Sequence, residues 1–346
     1  MPLRWPFLER GSKVFVGCLS EEHMSRHINA ETVVPKEAWT SDVPWIDKDD
    51  CDIDAYVGSL SERPDFDLAE KLRRWRDDGV VVFEQAVASD LIDRYLEDID
   101  TLVRDYDTYE VPIEIRGQQM SSRDIDGFPA NLTGMKLNHM HCFSLAAARL
   151  SLTSVVTEFL EHVFRMPPSV CQSLTFWRGS EQPIHIDYPY VRQQKKLSFL
   201  AASWVPLEDI HPNAGPLAYY PGGHKLDQSG FFDWGEGSII YDEHSSRTPG
   251  DFAQYLRARM AEQEIAPRQF CPKRGDVLLW HGNLPHEGTA VRNAELTRKS
   301  YVTHYTAESE LPDWMRNYDK QGHPRGVFEN GGYSYRFRWF DACLSG

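Results

Sequence analysis

The sequence has no hydrophobic run of about 18 residues, the length that a helix needs to cross a bilayer. It also has no Cys-x-x-Cys pair and no zinc-ribbon spacing, because its six cysteines are scattered along 346 residues. The N-terminal residues lack the apolar run of a signal peptide. We therefore expect a cytoplasmic protein with reduced thiols, no membrane partner and no export by the signal-peptide route.

Positive charge is also scarce. The chain has 37 Lys and Arg against 52 Asp and Glu, a formal net charge of −15. Such a field repels polyphosphates at long range, so nucleic acid is not an expected partner and a multiply phosphorylated substrate is disfavoured. The basic cluster of Arg192, Lys195 and Lys196 could offset the field locally, but a solvated strand edge is the favoured interpretation. The expected partner is a small-molecule substrate, and the composition leaves the oligomeric state open.

The pattern of residues changes along the chain. Residues 1–65 are rich in Trp, Pro and acidic residues and have little periodicity, so we expect an irregular arm that packs through its aromatic side chains. Residues 66–306 form the main predicted domain, interrupted by an insertion at about 225–268 with a helix near Phe252–Glu262. Residues 307–346 are expected to pack on this domain as a C-terminal extension, as an added edge strand or as a tail.

Within the main domain, helical patterns come first and strand patterns follow. Apolar residues at helical spacing predict helices from Asp67, from Ser89–Asp90 and over about Ser144–Phe164, and Val80–Phe83 reads as a buried strand. After Pro168, short apolar or β-branched runs alternate with Gly, Pro and Asn clusters, which favours a sandwich or jelly roll. The predicted strands are Leu174–Trp177, Leu197–Leu200, Ala202–Val205, Val277–Trp280 and Tyr301–Tyr305.

The chain is organised around His185-Ile186-Asp187. On a strand, side chains two residues apart point to one face, so His185 and Asp187 would converge while Ile186 faces away. The pair is two thirds of a metal-binding face, and by itself it is weak evidence for a metal. A third ligand can come from the segment Trp280–His286, about 100 residues further on.

Several motifs follow in order: His185-x-Asp187, Trp204-Val205-Pro206, the turn Pro221-Gly222-Gly223-His224, the run Arg274–His281 that leads to His286, and Arg298, twelve residues beyond His286. Over roughly residues 66–306, this ordered set resembles the phytanoyl-CoA dioxygenase family of Fe(II)/2-oxoglutarate-dependent oxygenases.

The resemblance implies a set of ligands. His185, Asp187 and His286 would bind Fe(II), and Arg298 would anchor the distal carboxylate of 2-oxoglutarate. Two imidazoles and one carboxylate leave open positions for a chelating keto acid and for O2, and a planar guanidinium suits a carboxylate. Gln172 and Trp204 match positions that face the co-substrate in relatives, although core packing is nearly as plausible for both; Lys136 is a weaker candidate.

The other histidines have less specific interpretations. His281 lies five residues before His286, so on a regular strand the two would face opposite ways; the family pattern selects His286 and leaves His281 as a pocket residue or a packed one. His139 and His141 have metal-like spacing, but nearby no carboxylate or cysteine completes a site, so a structural or substrate-lining role is favoured. His224 is interpreted as structural. Aromatic and basic neighbours that would line a substrate pocket, or belong to the core, are Trp177, Arg178, Tyr188 and Tyr190.

The resulting prediction is a mainly β protein with a double-stranded β-helix (jelly-roll, cupin-like) core and flanking N-terminal helices. The resemblance implies oxidation of an unactivated C–H bond, with hydroxylation as the default outcome, coupled to decarboxylation of 2-oxoglutarate to succinate and CO2. Two alternatives stay open: a jelly-roll isomerase or hydrolase that does not use 2-oxoglutarate, and a non-catalytic binding protein. Family members more often have Gly-Ser after the ligand histidine where this chain has Glu287-Gly288-Thr289.

Overall fold

The computed structural model describes residues 33–40, 42–109, 111–115, 117–129, 132–191, 195–226, 231–313 and 325–335. Seven of the helices in these ranges precede the strand that begins at Pro168, and one lies within the insertion. They are α1 (Glu37–Thr40), α2 (Ile53–Gly58), α3 (Leu68–Asp78), α4 (Ser89–Arg104), α5 (Tyr106–Tyr109), α6 (Leu145–Ser151), α7 (Ser154–Phe164) and α8 (Pro249–Glu262).

The strands form two sheets. They are β1 (Val80–Phe83), β2 (Pro112–Ile115), β3 (Gln118–Ser121), β4 (Met135–Asn138), β5 (Pro168–Phe176), β6 (Ala201–Pro206), β7 (Leu217–Tyr219), β8 (Arg268–Phe270), β9 (Val277–His281), β10 (His286–Gly288), β11 (Ser300–Ala307), β12 (Arg325–Val327) and β13 (Tyr333–Tyr335). The larger sheet runs β1-β9-β6-β11-β5-β4-β2-β3, with β12 and β13 attached beside β5. The smaller sheet runs β10-β7-β8.

The first elements of the main domain form as their sequence predicts. The Asp67 side chain accepts a hydrogen bond from the Glu70 backbone N–H at 2.9 Å, which caps α3. Gly79 ends the helix with a φ of 72°, a left-handed conformation that glycine adopts without strain. β1 follows at once and pairs antiparallel with β9, with Val80 opposite Trp280. The helix-to-strand unit therefore packs against the strand that leads to the site.

Three predicted elements differ from the structure. The helix over Ser144–Phe164 is in fact two helices, because Leu152 and Thr153 leave helical geometry and α7 begins anew at Ser154. Leu197–Leu200 is not a strand but a turn before β6. The His185-Ile186-Asp187 segment is not a regular strand either: one isolated bridge joins His185 to His286, and a turn follows at Asp187.

The described ends of the chain contact the main domain. Of the arm predicted to be irregular over residues 1–65, residues 1–32 and 41 lie outside the described residues, and the rest holds α1, α2 and a 3-10 turn at Trp45–Asp47. In the C-terminal extension, β13 makes a single parallel pairing, Tyr333 with Ser169 of β5. Lys195 pairs with Asp313 at 2.9 Å and Lys196 with Glu310 at 3.4 Å, whereas Arg192 lies outside the described residues. Cys51 and Cys271 are free thiols.

Two apolar clusters flank the position of the predicted site. One lies between the sheets and includes Phe176, Trp204, Trp280 and Leu284. The other contains α8 and the aromatic residues of the insertion, together with Trp39 from α1. None of the described helices is long and apolar enough to cross a membrane.

Candidate metal centre

Backbone hydrogen bonds bring the two ends of the predicted triad together. His185 and His286 exchange two N–H to carbonyl bonds, each of 2.9 Å, so they lie directly opposite each other. Their ring centroids are 4.2 Å apart. The side chains of His185, Asp187 and His286 each offer one ligand atom, and these atoms all lie within 4.8 Å of one another. This spacing suits three ligands that share one ion.

The second nitrogen of each imidazole is already engaged. Nδ1 of His185 lies 2.9 Å from the Pro183 carbonyl oxygen, and Nδ1 of His286 lies 3.0 Å from that of Leu284. A carbonyl oxygen can only accept, so both Nδ1 atoms carry the proton and both Nε2 atoms keep a free lone pair. Such bonds fix the tautomer and the ring orientation that a metal ligand requires.

Asp187 is held from its backbone and its side chain. Its N–H donates to the Gly282 carbonyl at 3.0 Å, and Oδ2 accepts a 2.7 Å bond from the Trp280 indole N–H. Oδ1 faces the triad, 3.7 Å from Nε2 of His286. Only glycine fits at position 282, because a Cβ there would lie 2.8 Å from the Leu200 carbonyl oxygen. The turn between His281 and His286 therefore positions the carboxylate.

The electrostatics keep the triad in its metal-binding protonation state. Burial lowers the pKa of His185 to about 3, so its imidazole is neutral at neutral pH. Burial alone would raise the pKa of Asp187, but the surrounding histidines His286, His304 and His185 outweigh it and hold this pKa below its ordinary value. A neutral imidazole and an ionised carboxylate are the forms that coordinate a cation.

Arg298 is a buried cation. Its residue is 2% exposed, and it forms no ion pair with any described residue. The guanidinium carbon lies 5.4 Å from the Phe176 ring and 5.7 Å from the Trp204 ring, and Nε has no hydrogen-bond partner among the described residues. Burial lowers its pKa to about 10, which still leaves it charged at neutral pH. A buried charge without a counterion is costly, which favours an anionic ligand here.

The structure adds one residue that the sequence interpretation did not single out. His304 on β11 is 3% exposed, and its Nε2 lies 3.5 Å from Oδ1 of Asp187. A signal was available, because His304 stands an even number of residues after Arg298 on a predicted strand and would therefore face the same way.

The three weaker co-substrate candidates have different surroundings. Trp204 is buried against Arg298, as described above. Gln172 on β5 is partly buried and opposite His304 in the strand register. Lys136 pairs with Glu114 at 2.9 Å, and its charge is a minor contribution that lowers the pKa of His185.

The remaining histidines lie outside the triad. His281 packs on the far side of β9 against Trp75 and His224, with its Nε2 3.3 Å from Asp47. Nδ1 of His281 accepts from the Asn283 N–H at 3.0 Å, so this histidine has partners on both nitrogens and is a packed residue. His141 is buried with Nδ1 2.8 Å from the Ser173 hydroxyl, and burial lowers the pKa of His139 to about 4.

The four predicted pocket residues lie in different places: only Tyr190 lies at the edge of the site, beside the triad. Tyr188 is buried, and its ring centroid lies 4.4 Å from that of Trp39. Arg178 donates to the Leu296 carbonyl at 3.1 Å, in the loop before Arg298. Trp177 is buried, 5.6 Å from the Phe128 ring. Tyr190 is partly buried with its ring 6.2 Å from that of His185, so it alone of these four lies beside the triad.

The insertion also contacts this edge of the site, through Tyr190. Trp234 and Tyr241 pack on Tyr190 with ring centroids 5.8 Å and 5.7 Å away. Glu287, which replaces the small residue common in the family, accepts from the Tyr220 hydroxyl at 2.9 Å and pairs with Arg257 of α8 at 2.8 Å. Glu287 thus connects α8 of the insertion to β10, the strand that holds His286.

The sequence and the fold both have known relatives. Residues 75–300 match the phytanoyl-CoA dioxygenase family. A "phytanoyl-CoA dioxygenase domain-containing protein 1 homolog" of Caenorhabditis elegans is 20% identical in an alignment 270 residues long that covers 69% of this chain and 90% of the relative.

Solved structures of similar fold include EctD from S. alaskensis with 2-oxoglutarate and 5-hydroxyectoine, at 17% identity and a TM-score of 0.51 over 73% of this chain and 81% of that one. Another is the epimerase SnoN with Fe3+, alpha ketoglutarate and nogalamycin RO, at 17% identity and a TM-score of 0.51 over 78% of this chain and 96% of that one. The predicted mainly β jelly-roll core is confirmed.

Proposed function

The chain belongs to the phytanoyl-CoA dioxygenase family of Fe(II)/2-oxoglutarate-dependent oxygenases, and from that premise we propose that it hydroxylates an unactivated C–H bond of a small or medium organic molecule. The reaction consumes O2 and converts 2-oxoglutarate to succinate and CO2. The domain that performs it is proposed to span residues 66–306, which contain the whole family match at 75–300.

His185, Asp187 and His286 are the proposed iron ligands. Their free Nε2 atoms and the Oδ1 oxygen lie close enough together that they would hold one ion, since their backbones come from one bridged pair and one turn. Bound there, Fe(II) supplies the activation of O2 that side chains cannot provide. The protein's own contribution is to keep the three ligands fixed through Pro183, Leu284 and Trp280.

Arg298 is the proposed partner of the distal carboxylate of 2-oxoglutarate, and its unpaired buried charge is the observation that carries this function. A dianionic keto acid supplies the missing counterion, whereas an isomerase or hydrolase with the same triad would have no use for it. The Phe176 and Trp204 rings keep water from the guanidinium, which strengthens a charge-assisted bond.

The substrate is proposed to enter beside His185, under a wall formed by Tyr190 and the insertion. Tyr190, Trp234 and Tyr241 give this wall aromatic faces, and the Arg257–Glu287 pair ties it to the strand of His286. An organic molecule with an apolar or ring surface suits such a wall.

Anaerobic reconstitution with Fe(II) followed by 2-oxoglutarate tests the proposal. We expect a metal-to-ligand charge-transfer band, and on admission of O2 the release of succinate, faster when the true substrate is present. A panel of candidate metabolites scored by succinate release then identifies the substrate. The absence of both the band and succinate would sink the proposed function.

A further inference from the structure

His304 has an unusual environment for a buried histidine. Its side chain is 4% exposed, and neither ring nitrogen has a hydrogen-bond partner among the described residues. The 3.5 Å separation from Asp187 is too long for a strong hydrogen bond. Since buried polar groups are nearly always paired, a ligand bound next to Asp187 would supply the hydrogen bond that this imidazole lacks.

The position of His304 shows where that group would lie. Oδ2 of Asp187 is occupied by the Trp280 indole, whereas Nε2 of His304 approaches Oδ1, the oxygen that also faces His286. His304 therefore stands on the metal side of Asp187. It falls outside the set of three whose ligand atoms lie within 4.8 Å of one another, so its place is next to the ion's ligands rather than among them.

The strand also relates His304 to the co-substrate. Arg298 precedes β11 and His304 lies six residues later, and Val302 between them packs with Phe176 and Trp204 on the same inner face. A keto acid held by Arg298 at its distal end presents its other carboxylate at the metal. Since Arg298 serves the distal end, the carboxylate at the metal end would be free to accept a hydrogen bond from a neighbouring donor.

We propose that His304 is that donor: one ring N–H binds the C1 carboxylate of the 2-oxo acid, next to Asp187. This inference rests on the proposed function and extends it to a residue beyond the triad and Arg298. The same strand then recognises both ends of the co-substrate, with a guanidinium for C5 and an imidazole for C1. The inference requires only that the imidazole carry a proton on the nitrogen that faces the ligand.

The test compares two ligands that share C1 but differ at C5. 2-Oxoglutarate and 2-oxovalerate, which ends in a methyl group, are titrated anaerobically into the Fe(II)-loaded full chain, and the charge-transfer band reports binding. His304→Leu is expected to bind both ligands about ten- to hundredfold more weakly, the range for losing a hydrogen bond to a charged group. His304→Gln, which keeps an N–H, should recover part of the loss. Arg298→Ala should weaken only 2-oxoglutarate.

Tyr305→Phe is the matched control, because Tyr305 is the buried neighbour whose hydroxyl points to the opposite face of β11. It should bind both ligands as the wild type does. If His304→Leu does not fold, His304→Asn replaces it. The shorter Asn side chain keeps a polar amide but cannot reach the C1 carboxylate.

Two results overturn the inference. One is wild-type affinity of a folded His304 variant for both ligands. The other is loss of iron with unchanged ligand affinity per bound iron, which would make His304 a support of the metal alone. If the wild type itself gives no band with 2-oxoglutarate, it is the proposed function that fails.

Discussion

The two faces of β11 carry polar groups of opposite character. On the helix-facing side, the Tyr301 hydroxyl lies 2.9 Å from the Ser151 hydroxyl, and the Tyr305 hydroxyl donates to the Ser151 carbonyl at 2.7 Å. On the metal-facing side, both nitrogens of His304 and Nε of Arg298 lack partners among the described residues. The hydroxyls on the helix-facing side are thus paired within the protein, whereas these three nitrogens on the metal-facing side are available to a ligand.

The largest effect should come from removing a ligand on the open face. His286→Ala leaves two of three ligands, so we expect loss of iron binding and of turnover in a protein that still folds. Iron content and circular dichroism measure the two properties. His281→Ala is the control from the far side of β9: it should lower stability and keep full iron, and a loss of iron there would contradict the distinction between the two histidines.

Arg298→Ala comes next. Loss of a buried charge-assisted bond should raise the 2-oxoglutarate concentration needed for half-maximal turnover about a hundredfold, with a smaller change in the maximal rate. Steady-state succinate release gives both quantities. Arg298→Lys restores the charge but not the planar fork and should fall between the two. Unchanged co-substrate dependence in Arg298→Ala would refute the role.

Trp280→Phe removes the indole N–H that fixes Oδ2 of Asp187 while keeping an aromatic ring in the core. Hydrogen bonds that orient a metal-ligating side chain are worth about 10- to 100-fold in metal affinity. We expect a weakening within that range, measured by competition with a chelator. Metal affinity equal to that of the wild type would show that the backbone bond to Gly282 is sufficient to orient the carboxylate.

Tyr305→Phe tests the paired face. It deletes a buried hydroxyl that contacts Ser151 and Ser203, so the free energy of unfolding should fall by about 1–3 kcal/mol. Denaturant unfolding measures this, and iron and 2-oxoglutarate affinities should stay as in the wild type. A change in either affinity would mean that the two faces are coupled.

The smallest effect is expected at the rim. Arg257→Met breaks the pair with Glu287, but Arg257 is 55% exposed, so the loss of stability should stay below about 1 kcal/mol. A change in substrate dependence with unchanged 2-oxoglutarate dependence would place the insertion at the substrate pocket. Equal changes in the substrate dependence and the 2-oxoglutarate dependence would contradict that placement.

Much of the architecture was predictable from periodicity. The family pattern named His185, Asp187 and His286, which the structure brings together, and their role as iron ligands stays a prediction. The β1 strand begins and ends where its apolar run does, and Arg298 is a buried cation that forms no ion pair with a described residue. The local geometry of the H-x-D segment was not predictable, because its extended form depends on His286 and Gly282, which are distant in sequence. His304 was missed because a histidine within a β-branched and aromatic run resembles a packing residue, although its even spacing from Arg298 predicts that the two face the same way.

The arm before the family match has a consequence for how this protein can be divided. Trp39 and Ile46 are 1% and 0% exposed, and the Trp45 indole donates to the His162 carbonyl at 2.8 Å. Asp47 reaches His281 on the back of β9. The family match at residues 75–300 therefore leaves out arm residues that pack against the main domain. A fragment cut at the family limits would expose the reverse side of the strand that leads to the metal, and its inactivity would say nothing about the chemistry.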